Sequence, residues 1–362
     1  MVQPPKRQDI PDCPCRLILV AHGPEIFDHG DMIALTRILE PDAIVVAGVM
    51  ARTAAEESGI SAEFPGLPPS RVLAAAGPGA VLANRGKTPE SGRIFGELVA
   101  ARLAGKGLVQ VECSNETVYV WDAGDRDQGA RDQGARIARI LGFAFVQERI
   151  RERNGGRIRK IRGCLPGEAV YVNGIVIGTA TGGEVVLEDR QGQVVPRSGI
   201  TAKDHGLEKA MRNGPVDLAS AWCKSGMVRG VLPSHIGKPR HGGKVIFVDH
   251  CGHEVYRHLS DGICGMVTVG DDTTAVCAHI GAHLGVPVLG IIDGDADSIV
   301  PAAFAPGSVL VHTVGERDDD VGKEVGRLMG TGEVVEWTGF RDDLLARLGD
   351  RVRLIWPGSG SE

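Results

Sequence analysis

The chain has 362 residues, with 40 Lys+Arg against 46 Asp+Glu (formal net charge −6), 43% hydrophobic and 24% charged residues. That composition is globular and excludes a disordered chain, and the length is that of two or three domains. The acidic balance argues against a dedicated nucleic-acid binder, and no apolar run approaches the ~18 residues that cross a bilayer. The opening stretch MVQPPKRQDIPDCPC lacks the apolar segment of a secretory signal. These features lead us to expect a cytoplasmic protein with neither nucleic acid nor membrane as partner.

Eight cysteines (13, 15, 113, 164, 223, 251, 264 and 277) are scattered, and a chain of this size needs no disulfide framework. Cys13 and Cys15 are the only close pair, with no second pair at metal-ligand spacing.

In chain order, Arg16–Ala21 reads as a buried strand, Met32–Leu39 as a helix, Ala43–Val49 as a strand and Ala51–Ser58 as the start of a helix. Val72–Ala75 and Ala80–Ala83 are short strand candidates. Thr88-Pro89-Glu90 is a helix start, with Thr as N-cap and Pro at the first helical position. Leu108–Glu112 and Val118–Trp121 follow as strands. Alternation of this kind predicts a parallel α/β domain over residues 1–148.

A second region spans 149–235. It begins with the basic run IRERNGGRIRKIR, read as a solvated linker or a cation shelf for an anionic ligand. The duplicated RDQGA at 126–135 just before it is too short to define a repeat architecture and suits a helix surface. Alternating apolar residues from 164 to about 202, broken by turns at Asn173-Gly174, Gly182-Gly183 and Gln191-Gly192, predict a small β-rich module. Asp204–Met211 and Pro215–Met227 read as helical. Residues 236–362 return to α/β, with strands at Lys244–Asp249, Met266–Val269, Val286–Ile292 and Val309–Val314, and helices at Thr273–Leu284 and Val321–Met329.

Three acidic clusters follow expected strands in this last region: Asp271-Asp272, Asp293-Gly-Asp295-Ala-Asp297, and Asp318-Asp319-Asp320. Strand carboxyl ends form the ligand crevice of an open parallel sheet, and eight carboxylates gathered there call for neutralising cations. Hard oxygen ligands suit Mg²⁺, which in turn holds polyphosphate. Other motifs carry less. Gly86-Lys87-Thr88 lacks the upstream glycine of a phosphate loop, Val81 standing at that position. His22, Glu25 and Asp28 in AHGPEIFDHG could line a second site. The His250–Glu254 stretch, after the Lys244–Asp249 strand, could bind metal but has no partners at zinc spacing. Lys203–Lys209 is explained by capping and i,i+4 pairing.

The stretch VTVGDDTTAVCAHIGAHLGVPVLGIIDGDADSI resembles the core of thiamine pyrophosphokinases and related pterin diphosphokinases. Gly270-Asp271-Asp272-Thr273 stands at that family's first loop, Gly294-Asp295-Ala296-Asp297-Ser298 matches its G-D-x-D-S, and Glu316–Asp320 stands at its third, acidic loop. Asp272 and Thr273 replace the family's double glycine, and the third loop lacks its Lys and Thr. The resemblance covers about 65 residues and implies a Mg²⁺-dependent diphosphotransferase using ATP or GTP and a small alcohol. It implies metal ligation by Asp271, Asp293, Asp295 and Asp297, and catalytic roles for Asp295, Asp297, Asp318 and Asp319. Contacts to the nucleotide would come from Asp272, Thr273, Ser298, Arg317 and Lys323. A metal–nucleotide-binding protein without turnover and a metal-dependent phosphohydrolase are the alternatives. Over its whole length the chain also resembles an uncharacterised family of methanogenic archaea, through HGPEIFDHG, YVNGIVIG, VTVGDDTTAV and GIIDGDAD. Edge pairing of the weakly charged β module would make a homodimer.

Overall fold

The computed structural model describes residues 16–103, 107–122, 128–150, 157–212, 214–227, 229–233, 235–293, 303–329 and 333–356. The chain divides into two compact units: Met1–Cys164 with Gly183–Leu187, and Leu165–Gly182 with Glu188–Glu362. Two α/β units thus stand where three regions are expected, and most of the β-rich module falls in the second.

The first unit contains β1 (Ile18–His22), α1 (Glu25–Asp28), α2 (Asp31–Leu39), β2 (Ala43–Ala47), α3 (Val49–Glu57), α4 (Pro69–Ala76) and β3 (Ala80–Asn84). It continues with α5 (Pro89–Ala100), β4 (Leu108–Glu112), β5 (Thr117–Trp121), α6 (Gln128–Leu141), β6 (Ala144–Glu148) and β7 (Ile158–Arg162). Its main sheet has the order β2-β1-β3-β4-β5-β6. The first four strands are parallel, but β4 and β5 form an antiparallel hairpin, so the sheet is mixed rather than parallel throughout. The turn from Cys113 to Glu116 is too short for the crossover a parallel pair needs. The segment Val72–Ala75, expected as strand, lies in α4. Pro69 starts that helix, which buries Val72 and Leu73.

Asn84, Gln110 and Glu112 form one hydrogen-bonded network in this core. Glu112 is fully buried and accepts from Asn84 Nδ2 (2.5 Å) and from the backbone N–H groups of Gly86 and Ser114 (both 2.9 Å). Gln110 donates to Asn84 Oδ1 and accepts from Trp121 Nε1. Gly92 and Gly96 of α5 leave the space that Glu112 and Gln110 fill: a Cβ at either would lie 2.0 Å or less from those side chains.

The second unit begins with β8 (Ala169–Val172) and β9 (Ile175–Ala180), joined at Asn173-Gly174. Both turn residues have positive φ, as a two-residue hairpin turn demands. β10 (Glu184–Arg190) is divided between the units, and β11 (Gln193–Ser198), β12 (Ile200–Ala202), α7 (Asp204–Met211) and β13 (Cys223–Ser225) follow. The expected helix at Pro215–Met227 is absent from the described residues. Gly214 and Gly226 take positive φ, and β13 pairs antiparallel with β8 in the sheet β12-β9-β8-β13.

The remaining elements are β14 (Gly242–Asp249), β15 (Ile263–Val269), α8 (Asp271–Leu284), β16 (Val288–Ile292), β17 (Val309–Thr313), α9 (Asp318–Leu328), β18 (Val335–Glu336), α10 (Trp337–Leu348) and β19 (Val352–Trp356). β14, β15, β16 and β17 are parallel neighbours in that order, and β18 and β19 close the two edges antiparallel. β15 and β16 are buried at every residue, as strands covered on both faces must be. Val321 and Val325 of α9 pack against Val267, Leu289 and Ile291 on one face. On the other face α8 lies close: a Cβ at Gly290 would meet Thr274 at 2.5 Å.

Candidate functional site

Register fixes where the acids fall. Asp249 pairs with Val269, and Val269 with Ile291, so the parallel strands end level and their following loops share one edge. Gly270 carries φ +95°, a conformation that favours glycine, and turns the chain directly from β15 into α8. Its lack of a side chain matters as well, because a Cβ there would sit 2.7 Å from His250 Nε2.

A cleft in this unit is lined by Gly270, Asp271, Asp272 and Thr273 of the β15–α8 turn and by His250 after β14. The opposing lining comes from the β8–β9 hairpin at Gly174–Val176 and from Lys203, His205, Gly206 and Lys209. Gly206 seats α7 on β9, since a Cβ there would lie 2.0 Å from the carbonyl oxygen of Val176. His205 and Lys209, four residues apart, thereby share the α7 face that lines the cleft.

These basic side chains meet the acids directly. Lys209 Nζ lies 3.2 Å from Asp318 Oδ2, and Asp318 is fully buried. Arg212 Nη1 lies 2.5 Å from Asp319 Oδ2, and His205 Nε2 lies 3.5 Å from Asp293 Oδ2. Burial alone would push the Asp319 carboxyl up, but Lys209, Arg212 and His250 outweigh it and hold the group below its ordinary value. His250 Nδ1 makes a short contact with Asp249 Oδ1 and lies 3.8 Å from Asp319 Oδ1.

Asp271, Asp272, Thr273, Asp293, Asp318 and Asp319 therefore lie in or beside this cleft. The structure adds Lys203, His205, Lys209, Arg212, Asp249 and His250 to that set. Lys203, His205 and Lys209, read from the sequence as explained by capping and pairing, also line the cleft. Arg317 and Lys323 are not among the lining residues; Arg317 is 3.7 Å from Glu208 and Lys323 is 3.3 Å from Asp320, all four exposed. Asp295, Asp297 and Ser298, like Cys13 and Cys15, lie outside the described residues.

His22, Glu25 and Asp28 belong to the first unit. His22 ends β1, stacks on Phe95 at 4.7 Å and places Nδ1 2.8 Å from the carbonyl of Ala47, so Nδ1 donates. Glu25 and Asp28 lie in α1. Among the described residues, the one group of three or more His, Cys, Asp or Glu side chains with ligand atoms close enough for a metal ion is Asp249, His250 and Asp319. No helix among the described residues is long and apolar enough to cross a membrane.

Fold and site define a mixed α/β protein whose second unit gathers acids and cations at the carboxyl edge of a parallel sheet. The chain belongs to a family described as uncharacterized protein conserved in archaea (DUF2117), whose model matches residues 19–333. It is similar to uncharacterized protein MJ0065 of Methanocaldococcus jannaschii, at 32% identity over 329 residues, 85% of this chain and 90% of that protein. No solved structure matches.

Proposed function

We propose that the second unit is a Mg²⁺-dependent diphosphotransferase that moves diphosphate from ATP or GTP to a small alcohol. The observation that carries this reading is the interleaving of carboxylates and cations around one cleft at the strand carboxyl ends. A metal–polyphosphate needs both: hard oxygens for the cation and N–H donors for the phosphate oxygens. Asp271 and Asp293, with Asp295 and Asp297, are assigned to Mg²⁺. Lys203, His205 and the first turn of α8, including Asp272 and Thr273, are assigned to the phosphates. When bound, the metal supplies neutralisation of the charge that develops as AMP leaves.

Asp318 and Asp319 take a changed part. Their ion pairs with Lys209 and Arg212 make them holders of the two cations rather than groups that touch the reacting atoms. The same pairs favour a second reading, a metal–nucleotide-binding protein without turnover, because they occupy carboxylates that catalysis would want.

Incubation of the full chain with ATP or GTP, Mg²⁺ and a small-molecule cell extract, resolving AMP, ADP and phosphate, separates the readings. The proposal expects AMP that requires the extract, disappears with EDTA and falls at least tenfold in Asp293→Asn. Release of phosphate alone, or no product with metal-dependent nucleotide binding intact, overturns it in favour of the phosphohydrolase or the binding protein.

A further inference from the structure

A second set of candidate ligands, in or beside the same cleft, lies at the end of β14. Asp249 is the last residue of that strand and His250 follows it with φ +53°, a left-handed conformation that turns its side chain back beside Asp249. Asp319 comes from the first turn of α9, seventy residues further along the chain. One ligand atom from each lies within 4.8 Å of the others. That is the span of a coordination shell, in which opposite ligands at ~2.1 Å from a divalent ion stand ~4.2 Å apart.

The two oxygens of Asp319 are divided. Oδ2 belongs to Arg212 at 2.5 Å, whereas Oδ1 is the atom nearer to His250. Arg212 therefore orients Asp319 and leaves Oδ1 for a third partner. The polar contacts of the His250 ring lie on its acidic side, because Nε2 is buried beside Gly270 without a hydrogen-bond partner. The short contact between Asp249 Oδ1 and His250 Nδ1 brings a carboxylate oxygen and an imidazole nitrogen to one point.

We propose that Asp249, His250 and Asp319 bind a divalent transition-metal ion, of the Mn²⁺, Fe²⁺, Co²⁺ or Zn²⁺ class. An imidazole nitrogen beside two carboxylates selects this class over Mg²⁺, which prefers oxygen alone. The ligands of this site differ from the oxygen set of Asp271 and Asp293, although His250 lines the same cleft, and the site stands whether or not a nucleotide binds.

Metal-stripped full-length protein titrated with Co²⁺ and followed by visible absorption tests it without any enzymatic readout. One equivalent should develop a spectrum whose affinity falls at least tenfold in His250→Gln and in Asp249→Asn and is unchanged in Asp293→Asn. Asp249 lies near the surface, so its variant serves if His250→Gln fails to fold, as circular dichroism will show. Absence of Co²⁺ binding by the wild type overturns the proposal. So does affinity that is unchanged in Asp249→Asn, or lost in Asp293→Asn instead. Loss of nucleotide turnover with Co²⁺ binding intact would count against the diphosphotransferase reading alone.

Discussion

Asp318 shows how a residue's neighbours reassign it. Its carboxylate is fully buried, with Lys209 Nζ at 3.2 Å and the backbone N–H of Asp319 donating to Oδ1 at 2.8 Å. Removing one partner of a buried pair leaves an uncompensated charge, so Lys209→Met should cost about 3–5 kcal/mol in denaturant unfolding. The double variant Lys209→Met/Asp318→Asn should recover most of that loss. Glu112 makes a different prediction. Burial pushes its carboxyl up, against the opposing hydrogen bonds from Gly86, Ser114 and Asn84, and the net direction is upward. A raised folded value means the stabilisation is complete below the ordinary value of 4.5 and is lost as pH rises through the higher one. Melting temperatures measured from about pH 4 to 8 should therefore fall on the alkaline side for the wild type and fall less for Glu112→Gln. The acidic residues of the site were legible because aspartates follow apolar runs. Their cationic partners were not: Lys209 and Asp318 are 109 residues apart, and the local spacing around Lys203–Lys209 is also that of a solvated helix.

At the scale of elements, α7 decides whether the cleft has two walls. Gly206 lies against the backbone of β9, and a carbonyl oxygen cannot yield as a flexible side chain would. Gly206→Ala should lift α7, cost about 1–3 kcal/mol by overpacking, and displace His205 and Lys209 together. A stability loss in this range with nucleotide affinity reduced at least tenfold is expected; affinity equal to the wild type would contradict this role for α7. Elements with a strong local signal were readable in advance. The bounds of α7 were expected as Asp204–Met211 and are those, and Thr88 caps α5 through a reciprocal bond with Ser91. The first turns of α8 and α9 were missed because Asp271, Asp272 and Asp318 to Asp320 read as loop, although acids suit a helix N-terminus. The region 215–227 misled because its apolar spacing fits a helix while Gly226 and the pairing of β13 with β8 require an extended path.

For the whole molecule, the alternation of strands and helices disclosed the α/β class, but the partition into units was only partly visible. Gly183–Leu187 groups with the first unit while the residues on either side group with the second. Such grouping depends on long-range pairing, which leaves no periodicity in the local sequence. The antiparallel edges β18 and β19 were likewise hidden, one being only two residues long. The acidic clusters express their topology more directly, since parallel strands that end level bring separate loops to one edge. A metal–nucleotide bound at that edge is the central claim. The most direct measurement is calorimetric titration of ATP and GTP into the full chain, with and without Mg²⁺, for the wild type and Lys203→Ala. We predict binding that requires Mg²⁺ and weakens at least tenfold in the variant. Absence of nucleotide binding by the wild type, or equal affinity in Lys203→Ala, would contradict the account.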